Sequence, residues 1–462
     1  MKKFFLLLLA ALSLPLTTSA RAEGLLQLWE HVIESNPTLK GSEYAVEQMR
    51  AQQDQVLAKL LPNVAISGYY SYNNYNQNAS ANGFNPFGGP GNSYYPGFRG
   101  SLQIVQPLFD LPSYMRLEAT EKQAKQSEQQ ALAQRMQIAY NLVDQYLGVL
   151  EASDVIAQLE SEQAATEAQV GRLRHMHERQ MAKVTDLYEI EAYAQSIQTS
   201  KLEAQHQKAI ASEKLRELTG TLLHDPDPLV QDTFPEVQRS ADEWVQEALS
   251  SNPALLALQY ASEMAQKMIA SAKAEHLPTA NVTASEMYGN TGYNNLQYPN
   301  NYNIASLYLN LMIPIYAGGG VEAGAREAVS KYQLSREKME EVRRNIEKET
   351  RTSWLNATSG HSRIDSSRQE ASFREKAKIA QERSYELGAT TIVNVLDAHR
   401  RLLKAKTEYF KARYDFIRSL IRLRLNAGSL ADLDLEAIAP WFGSRQQQQR
   451  MKPLAPVNTT TE

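Results

Sequence analysis

Few residues in this chain have the types and spacing that chemistry at a protein site requires. His175-Met176-His177 suggests a pair of metal ligands, but residues two apart on a helix point to different faces. Gly318-Gly319-Gly320 lacks the Gly-Lys that completes a phosphate-binding loop, and no His-Glu-x-x-His or Ser/His/Asp arrangement is present. The chain has no cysteine, which excludes thiolate catalysis, zinc–thiolate sites and disulfides. We therefore predict no enzyme activity, no metal site and no cofactor.

The amino terminus has the order of a secretory signal peptide. Lys2 and Lys3 precede an apolar run over 4–16, and Ala20-Arg21-Ala22 follows it. The alternative is a membrane anchor, but this run is shorter than the ~20 residues that span a bilayer. We predict that residues 1–22 are removed, which places the mature protein outside the cytoplasm.

The bulk composition narrows the class further. No later apolar stretch approaches ~18 residues, which excludes transmembrane helices and leaves a β-barrel open. The formal net charge of -4 is small for 462 residues and argues against a nucleic-acid partner.

The chain is an internal duplication. Ser35-Asn36-Pro37 recurs as Ser251-Asn252-Pro253, and Leu61-Pro62 recurs as Leu277-Pro278, both pairs 216 positions apart. The predicted division is a first repeat over 23–220, a connector over 221–240, a second repeat over 241–428, a carboxyl-terminal segment over 429–442 and a disordered tail over 443–462.

Each repeat is predicted to contain a helix, two short strands separated by a polar loop, and two very long helices. The first helix is expected from Leu25 to Leu60, and the strands near 64–76, 99–110, 280–290 and 302–314, with loops over 73–97 and 289–301. Strand side chains alternate: Val64 and Ile66 share an apolar face, whereas Ala65 and Ser67 share a polar one. Glu286 falls on the apolar face, where the pattern does not explain it.

The long segments have the periodicity of coiled helices. Two series recur at alternating spacings of four and three: Leu132, Met136, Ala139, Val143, Tyr146 and Leu150, and Leu403, Thr407, Phe410, Tyr414, Ile417 and Ile421. At ~1.5 Å per residue, the proline-free segment 113–179 reaches roughly 100 Å.

Four strands cannot close a barrel, because about eight are the practical minimum and an open edge in lipid leaves backbone groups unsatisfied. The protomer must therefore associate, either as a dimer with eight strands or as a cyclic trimer with twelve. The competing readings are a soluble periplasmic coiled-coil scaffold, which the tyrosine-rich alternating strands oppose, and an enzyme.

Two longer sequence motifs are also present, 311–319 (LMIPIYAGG) and 385–398 (YELGATTIVNVLDA). With the duplication, they make the chain resemble the TolC family of outer-membrane efflux and secretion channels. The resemblance implies an α+β membrane protein: a homotrimer with a twelve-stranded barrel in the outer-membrane lipid, a helical barrel in the periplasm and a small mixed equatorial domain. It also implies a passive exit duct for drugs or proteins, served by a periplasmic adaptor and an inner-membrane transporter of the proton-driven or ABC type.

The resemblance also implies roles for individual residues at the periplasmic gate. Asp397 matches one position of an acidic ring in the lumen, and Asn394 occupies the other. Asp186 and Tyr385 match residues that hold the closed state by hydrogen bonds. Thr390 stands where the family has an arginine.

The two hairpin tips match the adaptor-docking positions. They comprise Arg179, Gln180 and Met181 in the first repeat, and Leu387, Gly388 and Ala389 in the second.

Overall fold

The computed structural model describes residues 24–77, 91–221, 226–231, 233–290, 301–430 and 432–443. The predicted signal peptide and, apart from Gly443, the predicted tail lie outside these ranges. The elements in chain order are α1 Leu25–Ser35, α2 Pro37–Ala58, β1 Asn63–Gln77, β2 Gly91–Phe109, α3 Leu111–Glu178, α4 Val184–Thr219, α5 Ala241–Ser251, α6 Pro253–Ala274, β3 Thr279–Asn290, β4 Asn301–Met312, α7 Gly320–Glu386, α8 Ile392–Ala427 and α9 Asp432–Ile438, followed by a 3-10 turn at Ala439–Trp441. Within these ranges, no helix combines the length and apolar content needed to cross a membrane.

The repeated Ser-Asn-Pro motif breaks a helix, so the prediction of one helix from Leu25 to Leu60 is wrong. Asn36 has extended backbone angles between α1 and α2, and its side-chain oxygen accepts from the backbone N–H groups of Thr38 and Leu39. Its Nδ2 donates to the carbonyl of Leu218, 2.9 Å away in the last turn of α4. Apolar periodicity continues across Asn36, which is why it did not reveal the break.

Asn252 has the same structural role in the second repeat. It caps α6 and donates from Nδ2 to the carbonyl of Asn426 near the end of α8, at 2.8 Å. Gly428 ends α8 at φ 71°, and a Cβ there would collide with the Asn252 backbone. The motif therefore fastens the start of each repeat to the end of its long helical hairpin.

The four strands form one antiparallel sheet in the order β1-β2-β3-β4. The two faces of the sheet differ in exposure, since Thr283 on one face is 1% exposed, whereas Ile66 on the other is 84% exposed. We call the face of Thr283 the concave face and the face of Ile66 the convex face. The register places Val64, Ile104, Ala284 and Leu307 on the convex face. The predicted apolar and polar faces are thus the convex and concave faces.

The ladder also extends further into the polar segment than expected. β1 continues to Gln77, one residue past its predicted end, and β2 begins at Gly91, eight residues before its predicted start. Both stretches fall within the loop predicted over 73–97, because backbone pairing between antiparallel strands does not depend on the side-chain composition that suggested a loop. β3 and β4 pair from Thr279 with Met312 to Asn290 with Asn301.

The long helices form two antiparallel hairpins, α3 with α4 and α7 with α8. α3 has 68 residues, which corresponds to about 100 Å. Most side chains of the predicted seams lie in the core, including Tyr146 and Tyr414, both fully buried, whereas Leu403, Thr407 and Phe410 are half-buried. Leu132 is an exception, since it is 41% exposed.

Polar bonds join the hairpins along their length. The Tyr414 hydroxyl donates to Asp154 at 2.6 Å, and the Arg418 guanidinium contacts Asp144 at 2.9 Å and Glu151 at 2.8 Å. These bonds connect α8 to α3.

The connector and the carboxyl-terminal segment meet beside the first helix. Leu229 and Phe442 form an antiparallel bridge, and the Val230 N–H donates to the carbonyl of Trp441 at 2.8 Å. The Trp29 indole of α1 donates to Asp432 at 3.0 Å. A small mixed layer thus packs against the side of the hairpins.

Candidate functional site

The ends of the two hairpins, remote from the sheet, carry the residues that the sequence singled out. α3 turns into α4 over 179–183, and α7 turns into α8 over 387–391. All six predicted docking residues at these turns are exposed, with Met181 at 68% and Leu387 at 73%. The apolar side chains at both tips therefore face solvent in the protomer.

The tips share one backbone motif built on different residues. Gly388 has φ 70°, and the Ala389 N–H donates to the carbonyl of Ser384 at 2.8 Å. At the equivalent place in the first repeat, Gln180 has φ 62°, and the Met181 N–H donates to the carbonyl of Met176 at 2.8 Å. Gln180 is the one non-glycine residue with positive φ among those described, and it carries the steric cost of a Cβ in the left-handed region.

One predicted pair joins the hairpins just inside the tips. The Tyr385 hydroxyl, at the end of α7, donates to Oδ2 of Asp186 in the first turn of α4, at 3.3 Å. Partial burial and the charge of Asp186 raise the pKa of the Tyr385 phenol, which keeps it a donor. The structure therefore brings these two residues together across the hairpins.

The other three predicted gate residues make contacts within α8 and the turn before it. Asn394 donates from Nδ2 to Oγ1 of Thr390 at 2.9 Å. Asp397 forms an ion pair with Arg401, one turn later, at 2.7 Å. Arg401 was not anticipated, and it offsets part of the negative charge that the sequence assigned to this position.

A buried histidine that sequence reasoning missed lies next to this group. The side chain of His399 is 1% exposed, and each ring nitrogen faces a carboxylate: Nδ1 lies 2.6 Å from Oε1 of Glu162, and Nε2 lies 2.9 Å from Oε1 of Glu382. Tyr193 donates to the same Glu162 oxygen at 3.0 Å. We call His399, Glu162, Glu382 and Tyr193 the histidine clasp, because they come from α8, α3, α7 and α4 respectively.

The electrostatics of the histidine clasp follow from its burial. Desolvation would raise the pKa of Glu162, but hydrogen bonds from His399 and Tyr193 and the nearby positive charge outweigh it, so the pKa lies below the ordinary value of 4.5. Burial and the Glu162 charge raise the pKa of the Tyr193 phenol. The clasp is therefore a buried hydrogen-bonded link between both hairpins, built around the Glu162 carboxylate.

One sequence signal could have found His399. Ile392, Leu396, His399 and Leu403 follow the four-three spacing of the α8 seam, so a polar side chain stands at a seam position. A buried polar residue at such a position needs partners on facing helices. Those partners lie 237 and 17 positions away in the chain, which is why spacing alone could not name them.

The described residues contain no group of three or more side chains arranged to hold a metal ion. His175 and His177 are engaged separately, the first with Glu178 at 3.3 Å and the second with the carbonyl of Ala182 at 3.1 Å.

A curved sheet with a polar concave face and an apolar convex face, continued by long helical hairpins, is the subunit architecture of an outer-membrane channel. The chain belongs to the outer membrane efflux protein family, whose sequence model matches residues 28–221 and 244–429, one range in each repeat. The resemblance drawn from the sequence is confirmed, as are the fold class, the assignment to outer-membrane exit ducts rather than enzymes, and the location in the outer membrane with the helical part in the periplasm.

Two relatives match this chain over most of their length. The chain is similar to the outer membrane protein TolC of Salmonella enteritidis, with 25% identity covering 96% of this chain and 89% of the relative. It is also similar to the alkaline protease secretion protein AprF of Pseudomonas aeruginosa, with 26% identity covering 98% and 95%.

Solved structures share the fold. The Campylobacter jejuni CmeC outer membrane channel superposes with a TM-score of 0.79 at 16% identity, covering 91% of this chain and 90% of that one. The open state of the Neisseria gonorrhoeae MtrE outer membrane channel gives 0.74 at 17% identity, covering 88% and 90%.

Proposed function

We propose that the chain forms a homotrimer whose three sheets close into one twelve-stranded barrel in outer-membrane lipid, continued by a periplasmic barrel of twelve long helices. The observation that carries this proposal is the sheet itself. β1 and β4 each pair with one neighbour among the described strands, and the convex face exposes apolar side chains such as Ile66 and Leu307. Lipid fits that face, and only a neighbouring copy satisfies both backbone edges. A trimer leaves a wider, water-filled lumen than a dimer would, in keeping with the polar concave face.

The trimer acts as the passive exit duct of a tripartite efflux pump or a type I secretion system. It exports small molecules such as drugs, or proteins, that a proton-driven or ABC transporter of the inner membrane delivers through a periplasmic adaptor. Similarity to both TolC and a protease secretion protein supports a duct common to the two routes. The polar concave face would give the lumen a hydrophilic wall along which a solute can pass.

The first experiment measures the mass of the detergent-solubilised protein by light scattering, corrected for bound detergent. We expect three chains per particle in the outer-membrane fraction. A monomer in the soluble fraction would instead support the periplasmic scaffold.

The gate belongs to the same proposal. Asp397 faces the lumen as one acidic group per protomer, with Asn394 and Thr390 beside it, while the bond between Tyr385 and Asp186 holds the hairpins in the closed arrangement. Carboxylates in a narrow pore attract cations. Asp397→Asn should therefore weaken block by multivalent cations in planar-bilayer recordings. The control Asp365→Asn, which removes an exposed carboxylate of α7, should leave the block unchanged. Unchanged block in Asp397→Asn removes this residue from the pore.

The tips are the proposed contact with the adaptor. Arg179, Gln180 and Met181 form one docking site, and Leu387, Gly388 and Ala389 form the other. A photo-crosslinker at Met181 or Leu387 should yield adducts with the adaptor in cells, and one at exposed Leu202, far along α4, serves as the matched control. Adducts at Leu202 but not at the tips would contradict this assignment.

A further inference from the structure

The four strands and the segments that join them in pairs are almost free of charge. Among Asp, Glu, Lys and Arg residues, the sequence contains one between Lys59 and Asp110, which is Arg99, and one between Glu275 and Glu322, which is Glu286. These stretches include all four strands and the segments that join β1 to β2 and β3 to β4. Arg99 and Glu286 are therefore the two formally charged residues within the four strands.

The two charges lie on opposite faces. Arg99 is in register with Tyr69 on β1 and Gly289 on β3, positions that belong to the polar concave face. Glu286 is in register with Leu102 and Ala305 on the apolar convex face, where Asn303 Nδ2 donates to its carboxylate at 3.2 Å. Glu286 thus has its own partner and does not neutralise Arg99 by direct contact.

Arg99 is held in a fixed position. Its Nε donates to the Tyr302 hydroxyl at 3.1 Å, and its guanidinium lies over the ring of Tyr69, 5.3 Å from the centroid. The Tyr302 ring lies against Gly289, where any Cβ would collide with it. The absence of a side chain at Gly289 therefore lets Tyr302 reach across β3 to β2. Among the described residues, the hydrogen bond that Arg99 makes through its side chain is the one from Nε to Tyr302, so the two terminal NH₂ groups of the guanidinium can donate to water and solute anions.

We infer that Arg99 is a selectivity-determining residue of the channel: three copies form a ring of fixed cations on the barrel wall that favours anions in the outer half of the lumen. This inference rests on the trimeric barrel proposed above. A twelve-stranded barrel with strands about 4.8 Å apart and tilted by about 40° has a radius of about 12 Å. The Arg99 side chains project inward from that wall, so the axis lies within about one Debye length, ~10 Å at 0.1 M salt, of all three cations.

The ring is opposite in sign to the carboxylates proposed at the periplasmic gate. A solute that leaves the cell through the duct would first pass the acidic gate and then the ring of Arg99 cations. The effect of the Arg99 ring on ion selectivity should therefore be measured in a variant that lacks the gate carboxylate.

The test is the reversal potential of single channels in a planar bilayer under a KCl gradient around 0.1 M, with Asp397→Asn as the background. Arg99→Gln should lower the permeability ratio of chloride to potassium by roughly threefold, the effect of three monovalent charges acting through water at this distance and ionic strength. Arg99→Lys keeps the charge and should stay close to the background value. Glu286→Gln is the matched control, since it removes the other charge of the same sheet from the opposite face, and it should leave the ratio unchanged.

The outcomes separate this inference from the function on which it rests. Channels that conduct normally but show the same ratio with Arg99→Gln would overturn the inference and leave the duct intact. An equal shift with Glu286→Gln would also overturn it, because the field would then not depend on the concave face. A purified protein that forms no channels at all would overturn the proposed function instead.

Discussion

Removal of the His399 imidazole should loosen the helices next to the gate. Both carboxylates that it faces are substantially buried, with 13% of the Glu162 side chain and 29% of the Glu382 side chain exposed. Removal of the partner of a buried carboxylate costs ~3–5 kcal/mol, because the charge is left buried and uncompensated. Glu382 retains Lys378 at 3.5 Å and can rehydrate, so we expect His399→Ala to cost about 3 kcal/mol, at the lower end of that range.

The assay is native-state hydrogen exchange of the α8 segment 392–405, measured by mass spectrometry on the detergent-solubilised protein. About 3 kcal/mol of local stability corresponds to roughly 100-fold faster exchange where opening is local. His361→Ala is the control, because the His361 ring lies edge-on to the Phe416 ring, at 6.2 Å between centroids. It should accelerate exchange by less than about fivefold.

A second variant separates charge from packing. Adding Glu162→Gln to His399→Ala removes one of the two carboxylates that have lost the imidazole, so it should restore much of the protection from exchange. If the effect of His399→Ala came only from the cavity, the second substitution would not restore protection. Exchange of 392–405 within threefold of the parent protein in His399→Ala would refute the reasoning.

Three further predictions concern the clasp, the turns and the caps. Because the folded-state pKa of Glu162 lies below 4.5, the stabilising contribution of this carboxylate is present above pH 4.5 and is lost as the pH falls through the folded-state pKa. Hydrogen exchange in α8, corrected for intrinsic rates, should therefore accelerate below pH 4.5. The Glu162→Gln variant should lose this pH dependence. Gln180→Gly should slow protease cleavage at its hairpin tip by about fivefold, and Gly388→Ala should accelerate cleavage at the other tip by a similar factor. The reason is that each substitution changes the backbone strain at a positive φ by about 1 kcal/mol. Equal effects of the same sign in both variants would contradict this prediction. Asn36→Ala and Asn252→Ala should each destabilise the first turn of the following helix by about 1–2 kcal/mol, seen as faster exchange of its amides, and an unchanged rate would rule out the capping role.

The sheet and the hairpins were accessible from the sequence because their signals are periodic. Alternation along β1 and the four-three spacing along α3 each repeat many times, so single exceptions do not hide them. Leu132 follows the spacing yet is 41% exposed, since periodicity assigns a face of the helix but not whether another element covers it at that level.

The break at Asn36 and the clasp around His399 were missed for a different reason. Both depend on a few side chains whose partners come from other elements: Leu218 for the amide of Asn36, and Glu162 and Glu382 for the imidazole. A cap can be recognised locally, but here the apolar residues on both sides of Asn36 continued a helical pattern. The gate residues themselves came from a family resemblance, and the ion pair of Asp397 with Arg401 appeared only in the structure.

The unequal hairpin turns have a consequence for stoichiometry. In the proposed trimer, six tips alternate around the rim, three built on Gly388 and three on Gln180. A glycine presents a bare backbone, whereas the glutamine adds a polar side chain beside the exposed Met181. A protein that recognises the glycine turn would find three equivalent positions 120° apart, and a protein that tolerates both would find six at 60° intervals. The residue at one left-handed position can thus set how many copies of a partner the rim accommodates.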